Sequence, residues 1–350
     1  MRRPPATAKW KRTAVVAGVV AALAAALIIF RWRNARFEWK IFFATLTAVD
    51  WRWLTAAIVL LLASYVVRAL RWGVMLRPLR PHPSVWGLVS ATLIGFTAVV
   101  LLGRAGELVR PYLIAAKERV PFSSQMAAWL LERILDLLMI LVIFAVGLTQ
   151  VPKVGLRMSP GLQWILQSGG YAVAAITAAC LAFLFLFRNF AEPAQRRLLS
   201  ALTFLPESSY QRIERAVQAF AQGMQSSRGS LGLLLGETLL VWAMIVGGYL
   251  LLFRSFTATA HFSFTDVIIF IGFVSFGSVV QIPGVGGGMQ LAAVLVLTEI
   301  FGLPLESASG LAVLIWILTF VVVAPFGLAL AFQEGLNWRK LKHLQEEARL

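Results

Sequence analysis

Charge is scarce in this chain: Asp, Glu, Lys and Arg make up 14% of its 350 residues, against 59% hydrophobic. Cysteine is almost absent. The single one, Cys180, excludes an intrachain disulfide and reads as a small core residue within an apolar run. The histidines His82, His261 and His343 are scattered, with no partners at metal-ligand spacing, so no metal site is expected. No cofactor motif is present either. The glycine-rich stretch at 283–288 is not followed by Lys-Ser/Thr, which excludes a nucleotide-type phosphate loop on spacing. Strand-type alternation is missing, which disfavours a β-barrel.

What the chain has instead is a series of apolar runs, several longer than the ~18 residues that flag a membrane span. The expected fold class is all-α: a polytopic membrane protein in one membrane domain. The net charge of +16 sits mostly in the loops and tails between apolar runs. Topology and anionic lipid explain it better than nucleic acid, which is not expected as a partner.

About six full spans are expected, at 14–30, 53–76, 122–148, 162–187, 231–253 and 305–330. The first follows Arg2, Arg3, Lys9, Lys11 and Arg12. It ends in Phe-Arg-Trp-Arg rather than a small-residue cleavage site, so it reads as an uncleaved span. Basic residues assign the N-terminal tail, 68–80, 188–228 and the C-terminal end to the cytoplasm, and 149–161 and 254–263 to the outside. Both termini are then cytoplasmic, in a bacterial inner membrane. The basic loop 31–52 is the exception, because the count places it outside.

This assignment imposes parity on two further segments. Residues 84–118 must begin and end inside, and 264–302 must begin and end outside. The returning leg Gly106–Glu118 gives ~20 Å of helix, short of the ~30 Å hydrocarbon core. A re-entrant helical hairpin is expected for 84–118. For 264–302, a hairpin and two short spans both satisfy parity. Span–hairpin–span then occurs twice, at 53–148 and 231–330, entering from opposite sides as in inverted-repeat transporters. Residues 188–230 read as an amphipathic loop on the inner surface, and 333–350 as a cytoplasmic tail.

Charge inside hydrocarbon is expensive and marks candidate functional groups. Arg104, Glu107 and Arg110 fall where the first hairpin turns, in GRAGELVR. The two arginines offer planar forks suited to phosphate, and Glu107 is three residues from each. Glu132, Arg133 and Asp136 lie on the next helix, with Glu132 ~15 Å past its start. Glu132 and Asp136 share a face and repel unless arginines intervene. A closed network of Arg104 and Arg110 with Glu132 and Asp136 is therefore expected, either as structure or as a substrate site. The second irregular segment contributes Pro283, Gly284, Gly286, Gly287, Gly288 and Gln290. Its proline ends one helix, and the free amides of the next suit an anion.

With GRAGELVRPYLI, the ERILDLL run, the amphipathic loop and the PGVGGG break in that order, the chain resembles the lysylphosphatidylglycerol synthase transmembrane-region family. These are flippase-like integral membrane proteins. The resemblance runs from about residue 40 to 335. It implies movement of a lipid between leaflets: an anionic or aminoacylated phospholipid, or a lipid-linked precursor. Where the family's second motif has a Glu after its glycines, this chain has Gln290. The chain stops at Leu350 without the aminoacyl-transferring domain of larger relatives, so lysine transfer to lipid is not expected. The expected function is lipid transport, with membrane lipid as partner and a homo-oligomer or a lipid-synthesis protein as further possible partners. Two rivals remain. One is a membrane-embedded enzyme acting on a lipid phosphate or glycan, although no nucleophile or metal motif is seen. The other is a non-catalytic organiser of lipid synthesis.

Overall fold

The structure is a computed structural model. It describes residues 37–150, 231–277, 281–282 and 286–335, with isolated positions at 175–178, 211, 214 and 218. The expected first span at 14–30, nearly all of 162–187 and 188–230, and the tail beyond 335 lie outside the described residues.

Helix α1 (Trp39–Thr47) precedes α2 (Trp51–Leu76), which starts where the Asp50 carboxylate accepts the Arg52 N–H. Helix α3 (Val85–Leu102) starts in the same way at Ser84, whose hydroxyl accepts the Gly87 N–H. A tight turn at Gly103–Leu108 then leads into α4 (Val109–Glu118). Arg119 closes α4 in the left-handed region, at φ 55°. Pro121 follows two residues on, and α5 (Phe122–Gln150) begins.

Helix α6 (Leu231–Arg254) runs antiparallel to α2. The Asp50 N–H donates to the Ser255 carbonyl at 2.8 Å at one end, and Arg71 donates to the Thr238 hydroxyl toward the other. Beyond α6 lie α7 (Phe264–Gly277), strands β1 (Gln281–Ile282) and β2 (Gly286–Gly287), and α8 (Gly288–Leu295) with a wide turn at Val296–Ile300. Helix α9 (Leu305–Trp316), a second wide turn at Ile317–Val321 and α10 (Ala324–Gln333) complete the described chain.

Residues 85–118 are long and apolar enough in sum to cross a membrane. They are not one rod. The Ser84 N–H donates to the Glu118 carboxylate at 3.0 Å, Gly95 lies against Arg110, and Gly106 packs on the Ala98 carbonyl. The two legs therefore run antiparallel, with a mouth at 84 and 118 and a tip at 103–108. A Cβ on Gly95 or Gly106 would collide with the opposite leg, so the close approach needs glycine at both.

The second segment also doubles back, as both a hairpin and a pair of short spans require. The Phe262 and Phe301 rings meet at 4.6 Å at its mouth, and Gly277 lies against Gly288 and Ala292 near its tip. An antiparallel ladder, Gln281 with Gly287 and Ile282 with Gly286, closes the tip. Its mouth is at the α2 N-terminal end, and that of the first hairpin is at the α2 C-terminal end. Strand β1 lies against the Gly103–Leu108 turn, so the two tips meet inside the protein.

Packing between the halves is reciprocal. Helix α5, which follows the first hairpin, packs on α7 of the second through Gly147 and Gly272. Helix α10, in the last arm, packs on α3 of the first hairpin, where Gly327 sits against Leu93 and Thr97. Among the described residues, 51–76, 232–254 and 305–333 are also long and apolar enough to cross a membrane. The chain is thus an all-α, multi-pass membrane protein apart from the short ladder. The loop expected at 31–52 contains a helix, α1, packed on α9 with Thr45 donating to the Ser307 hydroxyl at 3.3 Å.

Candidate functional site

Helix α5 presents Glu132 and Asp136 on one face, toward α2 and α4. Glu132 is 0% exposed. Arg71 Nη2 donates to Glu132 Oε1 at 2.6 Å, and Arg110 grips both oxygens of the same carboxylate. Asp136 accepts from Arg71 Nη1 at 2.9 Å and from Arg68 Nη1 at 3.3 Å. Arg133 Nη2 stands 3.5 Å from both carboxylates. Arg71 also donates to Thr238 Oγ1 at 2.9 Å, which ties the cluster to α6.

Arg110 is fixed from both sides. Its guanidinium lies 4.1 Å from the Trp72 ring and 5.3 Å from the Phe96 ring. Trp72 is in turn held by a 2.8 Å hydrogen bond from its Nε1 to Gln125 Oε1. Contact with two aromatic rings favours a planar guanidinium, which can stack as well as attract, over an ammonium.

Arg104 departs from expectation. It does not join Glu132 and Asp136. It is 52% exposed at the hairpin tip and pairs at 2.7 Å with Glu107, three residues on. The 3-10 turn places these two on the same edge, so Glu107 takes Arg104 before the α5 carboxylates can. The places expected for Arg104 are filled by Arg68 and Arg71. Both belong to α2 and are not loop residues of the 68–80 basic stretch. The signal was present: two arginines at i,i+3 within the last turns of an apolar helix, Arg71 being ~7.5 Å inside its end.

A cavity of about 270 Å³ opens beside the cluster. Arg68, Arg104, Glu107, Arg110, Arg133 and Asp136 form its charged wall. Trp242, Ile245, Phe270, Val274 and Phe320 form an apolar wall. Tyr65 and Tyr249 also line it, and both hydrogen-bond to Thr319 in the wide turn at 317–321, at 3.0 and 2.9 Å. Neither Arg71 nor Glu132 reaches the cavity; they stand behind the wall.

The second hairpin contributes Ser275 and Met289 to the lining. Gly286, Gly287, Gly288 and Gln290 sit at its tip, while Pro283 and Gly284 lie outside the described residues. Gly287 has φ +106° and its N–H donates to Gln290 Oε1 at 2.7 Å. Gln290 therefore caps its own helix, and that amide is not open to an anion. Among the described residues no group of His, Cys, Asp and Glu could hold a metal.

Fold and site together define a multi-pass membrane protein whose paired hairpins close on a cationic, half-apolar cavity. The chain belongs to the family described as the lysylphosphatidylglycerol synthase TM region, whose profile matches residues 15–327. A glycosyltransferase, AglD of Haloferax volcanii, is 35% identical over 108 residues. That match covers 31% of this chain and 16% of that protein. No solved structure matches the chain.

Proposed function

We propose that this protein moves a phosphate-headed lipid between the leaflets of a bacterial inner membrane. One observation carries the reading: a single cavity joins a wall of arginines to an apolar wall, where the tips of two oppositely opening hairpins meet. A lipid has the same two-part chemistry. Arg68, Arg110 and Arg133 would take its phosphate, and Trp242, Ile245 and Phe320 the start of its tail. Glu132 and Asp136 act as counter-charges that keep the arginines in place when the site is empty.

The reciprocal packing supports an inverted-repeat transporter. In such proteins discontinuous helices meet at the substrate site, and access alternates by one repeat rocking against the other. On this reading both hairpins are re-entrant. The returning leg of the first and both legs of the second are shorter than a ~30 Å core, and the irregular turn of the first lines the cavity through Arg104 and Glu107. Family membership and the glycosyltransferase match support a membrane protein related to lipid or glycan handling.

The glycosyltransferase match favours a second reading, chemistry on a lipid-linked glycan. The carboxylates weigh against it. Among the described residues each acid facing the cavity already has an arginine on it, Glu107 with Arg104 and Asp136 with Arg68 and Arg71. That leaves no unpaired base. The test is leaflet exchange of a labelled phospholipid in proteoliposomes. Wild type should accelerate exchange over empty vesicles, and Arg110→Ala should abolish the acceleration. Equal exchange by wild type and variant overturns the proposal.

A further inference from the structure

We infer that the cavity selects a lipid whose phosphate head carries two negative charges, a phosphomonoester or a diphosphate, over a monoanionic phosphodiester or a cationic aminoacylated head. This rests on the lipid-binding reading above and names the substrate class of that site.

Charge balance carries the inference. Four guanidiniums, Arg68, Arg71, Arg110 and Arg133, converge on two carboxylates, Glu132 and Asp136. Arg104 and Glu107 pair with each other and cancel. Among the described residues the cluster is left with two positive charges in excess. Glu237, beside Thr238 on α6, makes no ion pair with these arginines, and counting it still leaves the balance positive. An uncompensated ion away from water costs several kcal/mol. Among the described residues nothing supplies the matching negative charge, and the cavity is the open side from which an anion can reach these arginines.

Geometry places the excess on that side. Arg71 spends its two terminal nitrogens on Glu132, Asp136 and Thr238, behind the wall. Arg68 and Arg133 reach Asp136 through one nitrogen each, at 3.3 and 3.5 Å, and both line the cavity. Arg133 Nε is buried and has no hydrogen-bond partner. Guanidinium edges left in this state match the oxygens of a terminal phosphate, which presents more charge and more acceptors than a bridging phosphodiester. An ammonium on the head would add a like charge to the excess.

The test is head-group preference in the purified full-length protein by native mass spectrometry, at pH 8. This is above the phosphomonoester second pKa of about 6. Phosphatidic acid, phosphatidylglycerol and lysyl-phosphatidylglycerol of identical acyl chains isolate the head, and a prenyl diphosphate forms the diphosphate arm. Phosphatidic acid, the diphosphate or both should be retained at least about tenfold better than phosphatidylglycerol, and the lysyl lipid least. Arg133→Gln should narrow that ratio. Equal retention of all heads, or preference for the lysyl lipid, overturns the inference, and the wild-type comparison decides it whether or not the variant folds. A strong preference without leaflet exchange supports this inference and defeats transport. Exchange without head preference defeats this inference and leaves transport standing.

Discussion

Arg71 holds Glu132 and Asp136 with one guanidinium, 2.6 Å from the first and 2.9 Å from the second, and spans the i,i+4 pair that would otherwise repel. Being fully buried and outside the cavity, Arg71 is a positioning residue. Arg71→Met leaves Glu132 to Arg110 and Asp136 to the longer contacts of Arg68 and Arg133, and should cost about 1.5–3 kcal/mol. Thermal unfolding in detergent should show a large fall in midpoint. Arg71→Met with Asp136→Asn should recover part of it, because Glu132 retains Arg110.

Arg110 and Arg133 should behave differently. Arg110→Lys keeps the charge but loses both the two-pronged grip on Glu132 and the stack on Trp72. Exchange of labelled lipid should fall at least about tenfold, which is 1.4 kcal/mol. Arg133 is 35% exposed and held only by 3.5 Å pairs. Arg133→Gln should leave the unfolding midpoint nearly unchanged, within about 0.5–1 kcal/mol, while weakening lipid binding.

The spacing of the first hairpin predicts a glycine hierarchy. Gly106→Ala places a methyl on the Ala98 carbonyl, and Gly95→Ala places one on Arg110. Each should destabilise by about 1–3 kcal/mol. Gly232→Ala, on α6 with nothing within 4 Å, should be neutral or gain up to about 1 kcal/mol of helix propensity. Unfolding of the three variants side by side checks the order.

Gln290→Leu removes the acceptor of the Gly287 N–H and should cost about 0.5–2 kcal/mol, a typical helix-cap loss. Gln290→Glu keeps an acceptor and should not. Hydrogen exchange at residues 286–290 should quicken only in the leucine variant.

Much of this was legible in the sequence, for particular reasons. Glu132 and Asp136 stood out because ionised groups are rare in an apolar run. That 84–118 turns back on itself followed from loop charge, and its ends do bring Ser84 to Glu118. The partners were harder. Arg68 and Arg71 belong by sequence to a basic stretch at a helix end, where arginines ordinarily mark the water boundary. Only the crossing of α2 with α5 turns them inward. Arg104 looked equivalent to Arg110, but the tight turn delivers it to Glu107. Tyr65, Tyr249 and Thr319 carry no one-dimensional signal, since their meeting depends on the wide turn within the last arm.

The central claim is that two hairpins dip into the bilayer from opposite faces and enclose the arginine cluster between their tips. Sidedness of thiol labelling tests it most directly. In a Cys180→Ser background, single substitutions His82→Cys and Arg119→Cys flank the first mouth, and His261→Cys and Pro304→Cys flank the second. An impermeant reagent should label the first two from one face of the membrane and the last two only from the other. Labelling of His82→Cys and Arg119→Cys from opposite faces would mean that residues 84–118 pass straight through, and would contradict the account.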